Sequence, residues 1–375
     1  MIYNEFKGLK ISALGMGTMR LPTKTGYNDI DEEATYEMVK YAIEHGINYF
    51  DTAWGYHGGN SEIAIGNVLS KFPRESYYIA TKFPGYDVSN MDKVEEIFEK
   101  QLKRLKVDYF DFYLFHNVCE KNINEYLDPQ YKIYEYLLEQ KRRGRIRHLG
   151  FSTHGSFTTM QRFLDAYGKD MEFCQLQINY LDWKFQSAKE KVEMVTKLGI
   201  PVFVMEPVRG GKLATLPEEF SSILAKANPD YTAPEWAFRF VQNIPEVVLT
   251  LSGMSNFEQL KENIAIFETR KPLTEKEASA LMRVTDAMIE KASLPCTSCR
   301  YCTDHCPMEL DIPRIIELYN EYTMTGGGFI APMVIGTMPE NKRPAACIGC
   351  QSCEAVCPQQ IKIADMMKDF TSKVK

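Results

Sequence analysis

From residue 11 to about 265 the chain repeats one unit: a short apolar, β-branched or aromatic run, then an amphipathic helical stretch. The strand-like runs are residues 11–16, 47–50, 77–81, 109–115, 146–151, 173–178, 201–205 and 247–251. Helical periodicity marks 32–44, 94–105, 131–142, 157–167, 188–198, 233–241 and 257–267. Eight short strands alternating with helices over this length predict an α/β fold of the (β/α)8, or TIM-barrel, type. A doubly wound sheet is the competing fold. It would carry a three-glycine turn after its first strand, and Gly15-Met16-Gly17-Thr18 lacks the third glycine.

In such a barrel the reactive groups gather at the carboxyl ends of the strands. The run 47–50 leads into Asp51-Thr52-Ala53-Trp54-Gly55-Tyr56 and then Gly58 and Gly59, a strand end opening into a loop. The next two runs finish at Lys82 and at His116. Taken singly, these are a turn aspartate, a surface lysine or tyrosine and a core histidine. Taken in order on neighbouring strands, they compose a general-acid site. Reducing a carbonyl leaves charge on oxygen, and a tyrosine keeps a proton to give at neutral pH. Lys82 is expected to lower the Tyr56 pKa, Asp51 to hold Lys82 charged, and His116 to orient the carbonyl oxygen.

The ordered pieces Leu14-Gly15-Met16-Gly17-Thr18, Asp51 to Tyr56, Ser61-Glu62, Thr81-Lys82, Leu114-Phe115-His116, Gly150-Phe151-Ser152, Gln175 and Glu262-Asn263 resemble the aldo-keto reductase family over residues 1–270. The resemblance implies an oxidoreductase with Tyr56 as proton donor and Asp51, Lys82 and His116 completing a tetrad. It implies a nicotinamide held by Ser152 and Gln175, with Met205 packed on its ring and Gly17, Thr18, Met19 and Asp51 nearby. It further implies nucleotide contacts from Pro207, Val208, Gly253, Met254, Ser255, Gln259 and Asn263, with Gly210 and Gly211 where backbone meets phosphate. Many members carry an aromatic ring where Met205 stands. Many that prefer NADP carry Lys near Gly253 and Arg near Gln259, and this chain has neither, so NADP and NAD both remain open.

Residues 273–293 read as a connecting helix, with Thr274 and Glu277 spaced as a capping box and Pro295 beyond its end. The last part, 294–375, holds eight of the ten cysteines. Cys296, Cys299, Cys302 and Cys306-Pro307, and again Cys347, Cys350, Cys353 and Cys357-Pro358, both fit the bacterial ferredoxin run. In that run the fourth cysteine ligates the other cluster, so the expected 4Fe–4S ligand sets are Cys296, Cys299, Cys302 and Cys357, and Cys347, Cys350, Cys353 and Cys306. A pair of structural zinc sites is the plainer alternative. The 40 residues between the runs, with a helical stretch at 312–322 and glycines at 326–328, favour a mainly helical ferredoxin-like domain.

Lys+Arg 44 against Asp+Glu 50 gives a net charge of -6, and no stretch reaches the length of a membrane span. Residues 1–10 lack the apolar run of a signal peptide, so a cytoplasmic protein without membrane or nucleic-acid partners is expected. The basic stretch 141–147 reads as a solvated helix end, Cys119 and Cys174 as buried small hydrophobes, and Trp54, Phe83 and Trp183 as packing or a pocket wall. Joining the halves raises a chemical problem: NAD(P)H gives two electrons as a hydride, whereas a cluster passes one. A flavin in the barrel, a partner electron-transfer protein, or a sensing or stabilising role for the clusters would each resolve it. A regulatory protein that binds nucleotide without turnover is the reading from outside enzymology. The expected substrate is a small carbonyl compound.

Overall fold

The computed structural model describes residues 1–296, 299–357 and 359–374, so Pro358 of the second cysteine run lies outside the described residues. The chain forms two compact units, Met1–Leu281 and Met282–Lys375, and the division falls inside the helix Glu275–Ala292. That helix begins with the capping box: the Thr274 N–H donates to Glu277 Oε2 (2.7 Å), and the Glu277 N–H to Thr274 Oγ1 (3.3 Å).

The first unit opens with a hairpin of β1 (Tyr3–Phe6) and β2 (Leu9–Ser12). Eight parallel strands then close a barrel in chain order: β3 (Leu14–Gly17), β4 (Tyr49–Asp51), β5 (Tyr78–Phe83), β6 (Phe110–Val118), β7 (Ile146–Thr153), β8 (Cys174–Gln177), β9 (Val202–Met205) and β10 (Val247–Gly253). The single strand expected at 11–16 is two elements. Ser12 ends the hairpin, Leu14 starts the barrel, and Ala13 between them carries no turn signal that would mark the break. Sequence periodicity also missed the helix Ser61–Leu69, which is apolar on nearly every face because it is almost wholly buried.

Side chains alternate along each strand, so residues two apart share the barrel interior. The lower interior is an aromatic plug of Tyr49, Phe112, Phe173 and Phe203, closed from below by Phe6 of the hairpin. Phe173 and Phe203 lie 4.7 Å apart between ring centroids, and Phe6 and Phe112 5.4 Å. Gly150 is required here: a Cβ would meet the Phe173 ring at 2.6 Å. Two residues further along the same strands, Tyr49 gives way to Asp51, Ala80 to Lys82, Phe173 to Gln175 and Phe203 to Met205. The plug therefore forms a dry floor beneath a polar upper layer.

The second unit is helical, with Ile312–Thr325, Ile330–Thr337 and Ile363–Lys373 as its longer helices after Glu275–Ala292. Its core of Leu310, Ile315, Ile316, Val334, Met367 and Phe370 includes the buried thiols Cys302 and Cys353. Gly326, with φ 59°, ends the first of these helices in the left-handed conformation that stops a helix.

Candidate active site and cysteine quartets

Asp51 and Lys82 form a buried ion pair, Lys82 Nζ to Asp51 Oδ1, at 2.6 Å, with Lys82 also donating to the Thr52 carbonyl at 2.7 Å. Burial lowers the Lys82 pKa and raises that of Asp51, each opposed by the charge of the other. On the helix side of β5, Glu62 is fully buried and accepts from Thr81 Oγ1 (2.7 Å), Gln101 Nε2 (2.7 Å) and Arg104 Nη1 (2.9 Å). Gln101 in turn donates to the Lys82 carbonyl (2.9 Å), which fixes the strand carrying the ammonium.

The Lys82 ammonium lies 5.2 Å from the centroid of the Tyr56 ring. The expected depression of the Tyr56 pKa is not what this environment produces. Burial pushes the phenol well above its ordinary value, and the nearby Asp51 and Glu206 carboxylates push the same way. His116 lies edge-on to Tyr56 (6.1 Å) and to Tyr86 (5.1 Å). Burial, then the Lys82 charge, holds its pKa well below the usual value, and its Nδ1 is buried without a protein partner among the described residues. Lys82 and His116 stand inside β5 and β6 rather than at the ends of the shorter expected strands.

Beside this layer a cavity of about 240 Å³ is lined by Pro207, Val208, Gly210, Gly211, Gly253 and Ser255 from the ends of the last two strands and the loops after them, and by Gln259 and Asn263 of the helix Phe257–Ile266. Gln259 Oε1 accepts from the Ser255 N–H (2.8 Å), and Asn263 donates to Ser252 Oγ (3.0 Å). Met254 is not brought there. Its side chain is fully buried, in the cluster that packs between strands and helices rather than in the barrel interior. Thr18 is buried, bonded to the Asp51 carbonyl (3.0 Å) and to Ser61 Oγ (2.8 Å). Gly17 pairs with Asp51 and Gly253, Met19 is 40% exposed, Ser152 accepts from the Asn117 N–H (2.8 Å), Gln175 lies beside Asp51, and Met205 ends β9.

Two groups in this cavity escaped the sequence reading. Arg20 lays its side chain along Gly253, at 3.4 Å from where a Cβ would stand, with Nη2 over Gly210. Glu206 is largely buried, its carboxyl pKa raised by burial against the opposing charge of Arg20. Neither follows a motif. Arg20 reaches the pocket from the loop after β3, a meeting of distant segments that spacing cannot show.

Trp54 stacks under the Arg104 guanidinium (4.0 Å) and Phe83 is core packing, while Trp183 packs on Phe240. Cys119 and Cys174 are buried, and burial raises the Cys119 thiol to about 11. In the basic stretch, Lys141 pairs with Glu172, Arg142 and Arg143 with Glu139, and Arg145 with Glu99.

In the second unit the thiols fall into two crossed quartets. Cys296, Cys299, Cys302 and Cys357 line one small cavity with Ile316, Ile361 and Ile363. Cys306, Cys347, Cys350 and Cys353 line another with Leu310, Ile312 and Met367. Among the described residues, no three His, Cys, Asp or Glu side chains are placed to hold a single ion. Four thiols around an apolar cavity match the donor set of an iron–sulfur cluster.

Residues 13–286 match the model of the aldo/keto reductase family. The chain belongs to that family. Residues 295–361 match a 4Fe-4S dicluster domain, so this is an aldo/keto reductase, an oxidoreductase, with an iron–sulfur domain after its barrel. Among similar proteins, the uncharacterized oxidoreductase YqkF of Bacillus subtilis is 28% identical over 76% of this chain and 96% of its own. The NADH-specific methylglyoxal reductase of Escherichia coli is 24% identical over 75% and 96%. A solved aldo-keto reductase from Klebsiella pneumoniae in complex with NADPH shares the fold, with TM-score 0.62 and 20% identity over 76% and 96% of the two chains. Each of these three proteins covers 75–76% of this reductase. Among its described residues no helix is long and apolar enough to cross a membrane.

Proposed function

We propose that this reductase converts an aldehyde or ketone to an alcohol at the barrel mouth with NADPH or NADH, Tyr56 giving the proton. The C-terminal unit would hold two 4Fe–4S clusters that carry electrons, joined to the barrel of residues 1–272 through 273–293. The observation that carries the barrel half is the buried Lys82–Asp51 pair at 2.6 Å, placed beneath Tyr56 and beside a His116 kept neutral by burial.

The cavity suits a dinucleotide. Gly210, Gly211 and Gly253 offer bare backbone and Arg20 a cation to phosphate oxygens, while Glu206 and Glu262 suit hydroxyl or amino donors. Bound there, a reduced nicotinamide supplies a hydride. Tyr56 stays protonated at neutral pH, because burial and the neighbouring carboxylates hold its phenol up, and it gives that proton to the developing alkoxide. The Lys82 ammonium stabilises the tyrosinate left behind, and Asp51 keeps that ammonium charged against its desolvation. His116, uncharged, adds no competing positive charge and orients the carbonyl oxygen. In the second unit the two crossed quartets are the cluster ligands, and the clusters supply one-electron transfer.

The test is anaerobic purification, then NADPH or NADH with a panel of aldehydes and ketones, following both cofactor oxidation and the brown cluster absorbance. Turnover is expected; bleaching with no other protein present would show that electrons reach the clusters without a partner or an added mediator. If no carbonyl is reduced with either cofactor, the barrel half of the reading fails. If turnover proceeds while the absorbance holds, the clusters lie outside the barrel's reaction.

A further inference from the structure

Directly after the proposed proton donor stands a histidine bonded through both ring nitrogens. His57 is 1% exposed, the second residue of the tight turn Tyr56–Gly59. Its Nε2 accepts from the Leu21 N–H (3.2 Å), so the ring proton is on Nδ1, which donates to the Tyr27 carbonyl. The Tyr27 ring stacks on the imidazole at 4.4 Å.

Leu21 and Tyr27 are the base and the tip of one loop. Thr23 pairs with Ile30, the Asp31 N–H donates to the Pro22 carbonyl (2.8 Å), and the Lys24 N–H to the Asp29 carbonyl (2.9 Å), so residues 22–31 fold as a small closed unit. The turn meets this loop again at Gly58, where a Cβ would strike Asn28 at 2.8 Å, and at Asn60, which donates to the Asn28 carbonyl (2.9 Å). The residue before Leu21 is Arg20, whose carbonyl accepts from Ser255 Oγ (3.0 Å) and whose side chain walls the cavity. One imidazole thus ties the Tyr56 turn to the segment that forms a wall of the nucleotide cavity.

His57 holds φ 52° and ψ 42°, the left-handed region that non-glycine residues seldom occupy. A residue serving the turn alone would be better as glycine. The side chain is therefore what the position needs.

We propose that His57 is a positioning residue that clasps the loop 21–30 to the Tyr56 turn, and so couples the placement of the proton donor to closure of the cavity at Arg20. This rests on the reading of Tyr56 as acid and of the cavity as the nucleotide site. The coupling is geometric. When the clasp is released, Tyr27 and Leu21 lose their fixed distance from Tyr56, and the Arg20 wall loses its anchor on that side.

His57→Gly removes the clasp while relieving the backbone, and His57→Asn keeps a donor and an acceptor on a residue that tolerates this conformation. NADPH and NADH affinities by fluorescence, kcat and KM for one aldehyde, and thermal melting are to be measured on both variants and the parent, with Tyr56→Phe alongside. The glycine variant should melt within a few degrees of the parent, yet lose about tenfold in kcat and bind nucleotide several-fold more weakly, with two hydrogen bonds gone. The asparagine variant should recover part of both. Parental kcat and affinity in the glycine variant, or an asparagine variant no better than glycine, overturns the clasp. A parent that binds no nucleotide, or an active Tyr56→Phe, overturns instead the reading on which it rests.

Discussion

The barrel and the cysteine unit bring their reactive groups together by opposite routes. Asp51, Lys82 and His116 come from three strands and Tyr56 from a loop, yet strand hydrogen bonds and an aromatic floor hold them whether or not anything is bound. In the second unit, each quartet draws three thiols from one short run and the fourth from the other run. Its core is small, and the cysteines are part of it. In the barrel the fold places the chemistry. In the cysteine unit bound metal would complete the fold, because ligand bonds close loops that apolar burial alone closes weakly.

The largest effect should separate the two regions outright. Anaerobically isolated protein should carry about eight iron and about eight sulfide per chain, if each quartet ligates one 4Fe–4S cluster. Cys306→Ala should then damage the cluster of Cys347, Cys350 and Cys353, and Cys357→Ala the cluster of Cys296, Cys299 and Cys302. Both should expose the second unit to protease while the barrel stays protected. Iron analysis, cluster-resolved EPR and limited proteolysis read this together. Zinc in place of iron, or each variant erasing only its own run's cluster, would contradict the crossed arrangement.

Next in size is Tyr56→Phe. It should cost about 10²–10⁴ in kcat while leaving nucleotide affinity within a few-fold, since it removes one proton and little volume. Retained activity within a few-fold on every carbonyl tested would remove Tyr56 from its proposed role.

The barrel's preorganisation also has a pH signature. Burial holds His154 at about 4, below the range of an unfolded histidine. A depressed folded value means that the unfolded chain takes up the proton first, so stability is full above about pH 6.5 and falls as pH drops toward 4. Up to about 3 kcal/mol should be lost across that window, at roughly 1.4 kcal/mol per pH unit. Urea titrations from pH 7.5 to 4.5 on the parent and on His154→Gln should show the smaller loss in the variant. Equal slopes would mean that another group controls the acid limb.

The smallest expected effect concerns Arg20. Lying over both Gly210 and Gly253, it should contribute to phosphate binding common to both cofactors. Arg20→Gln should then weaken NADPH and NADH alike by about tenfold, the scale of one charge-assisted contact, with NADPH and NADH binding the parent comparably. A loss confined to NADPH would instead assign Arg20 to the 2′-phosphate.

The alternation of strand and helix, the gathering of Asp51, Tyr56, Lys82 and His116 near one another and the pairing of the two cysteine runs were legible from spacing. Each is a local pattern: side-chain period, a residue type at a strand terminus, or a ligand interval set by the reach of a few residues. The helices Glu32–Glu44, Val94–Leu105 and Phe157–Tyr167 match their periodicity to the residue, because each buries one apolar stripe against the barrel.

What tertiary structure alone decided depends on segments far apart in the chain. Arg20 enters the cavity beside Gly253 because β3 and β10 are neighbours only once the barrel closes. Tyr56 is pushed up rather than down because burial and the Asp51 and Glu206 carboxylates act on it together, a combination that no residue order expresses. Met254 is buried between strand and helices, while Glu206 lines the cavity. His57 reads as an ordinary loop residue until Leu21 and Tyr27 close upon it. Local spacing determines which groups a chain of this kind can offer, and closure of the barrel determines which of them meet.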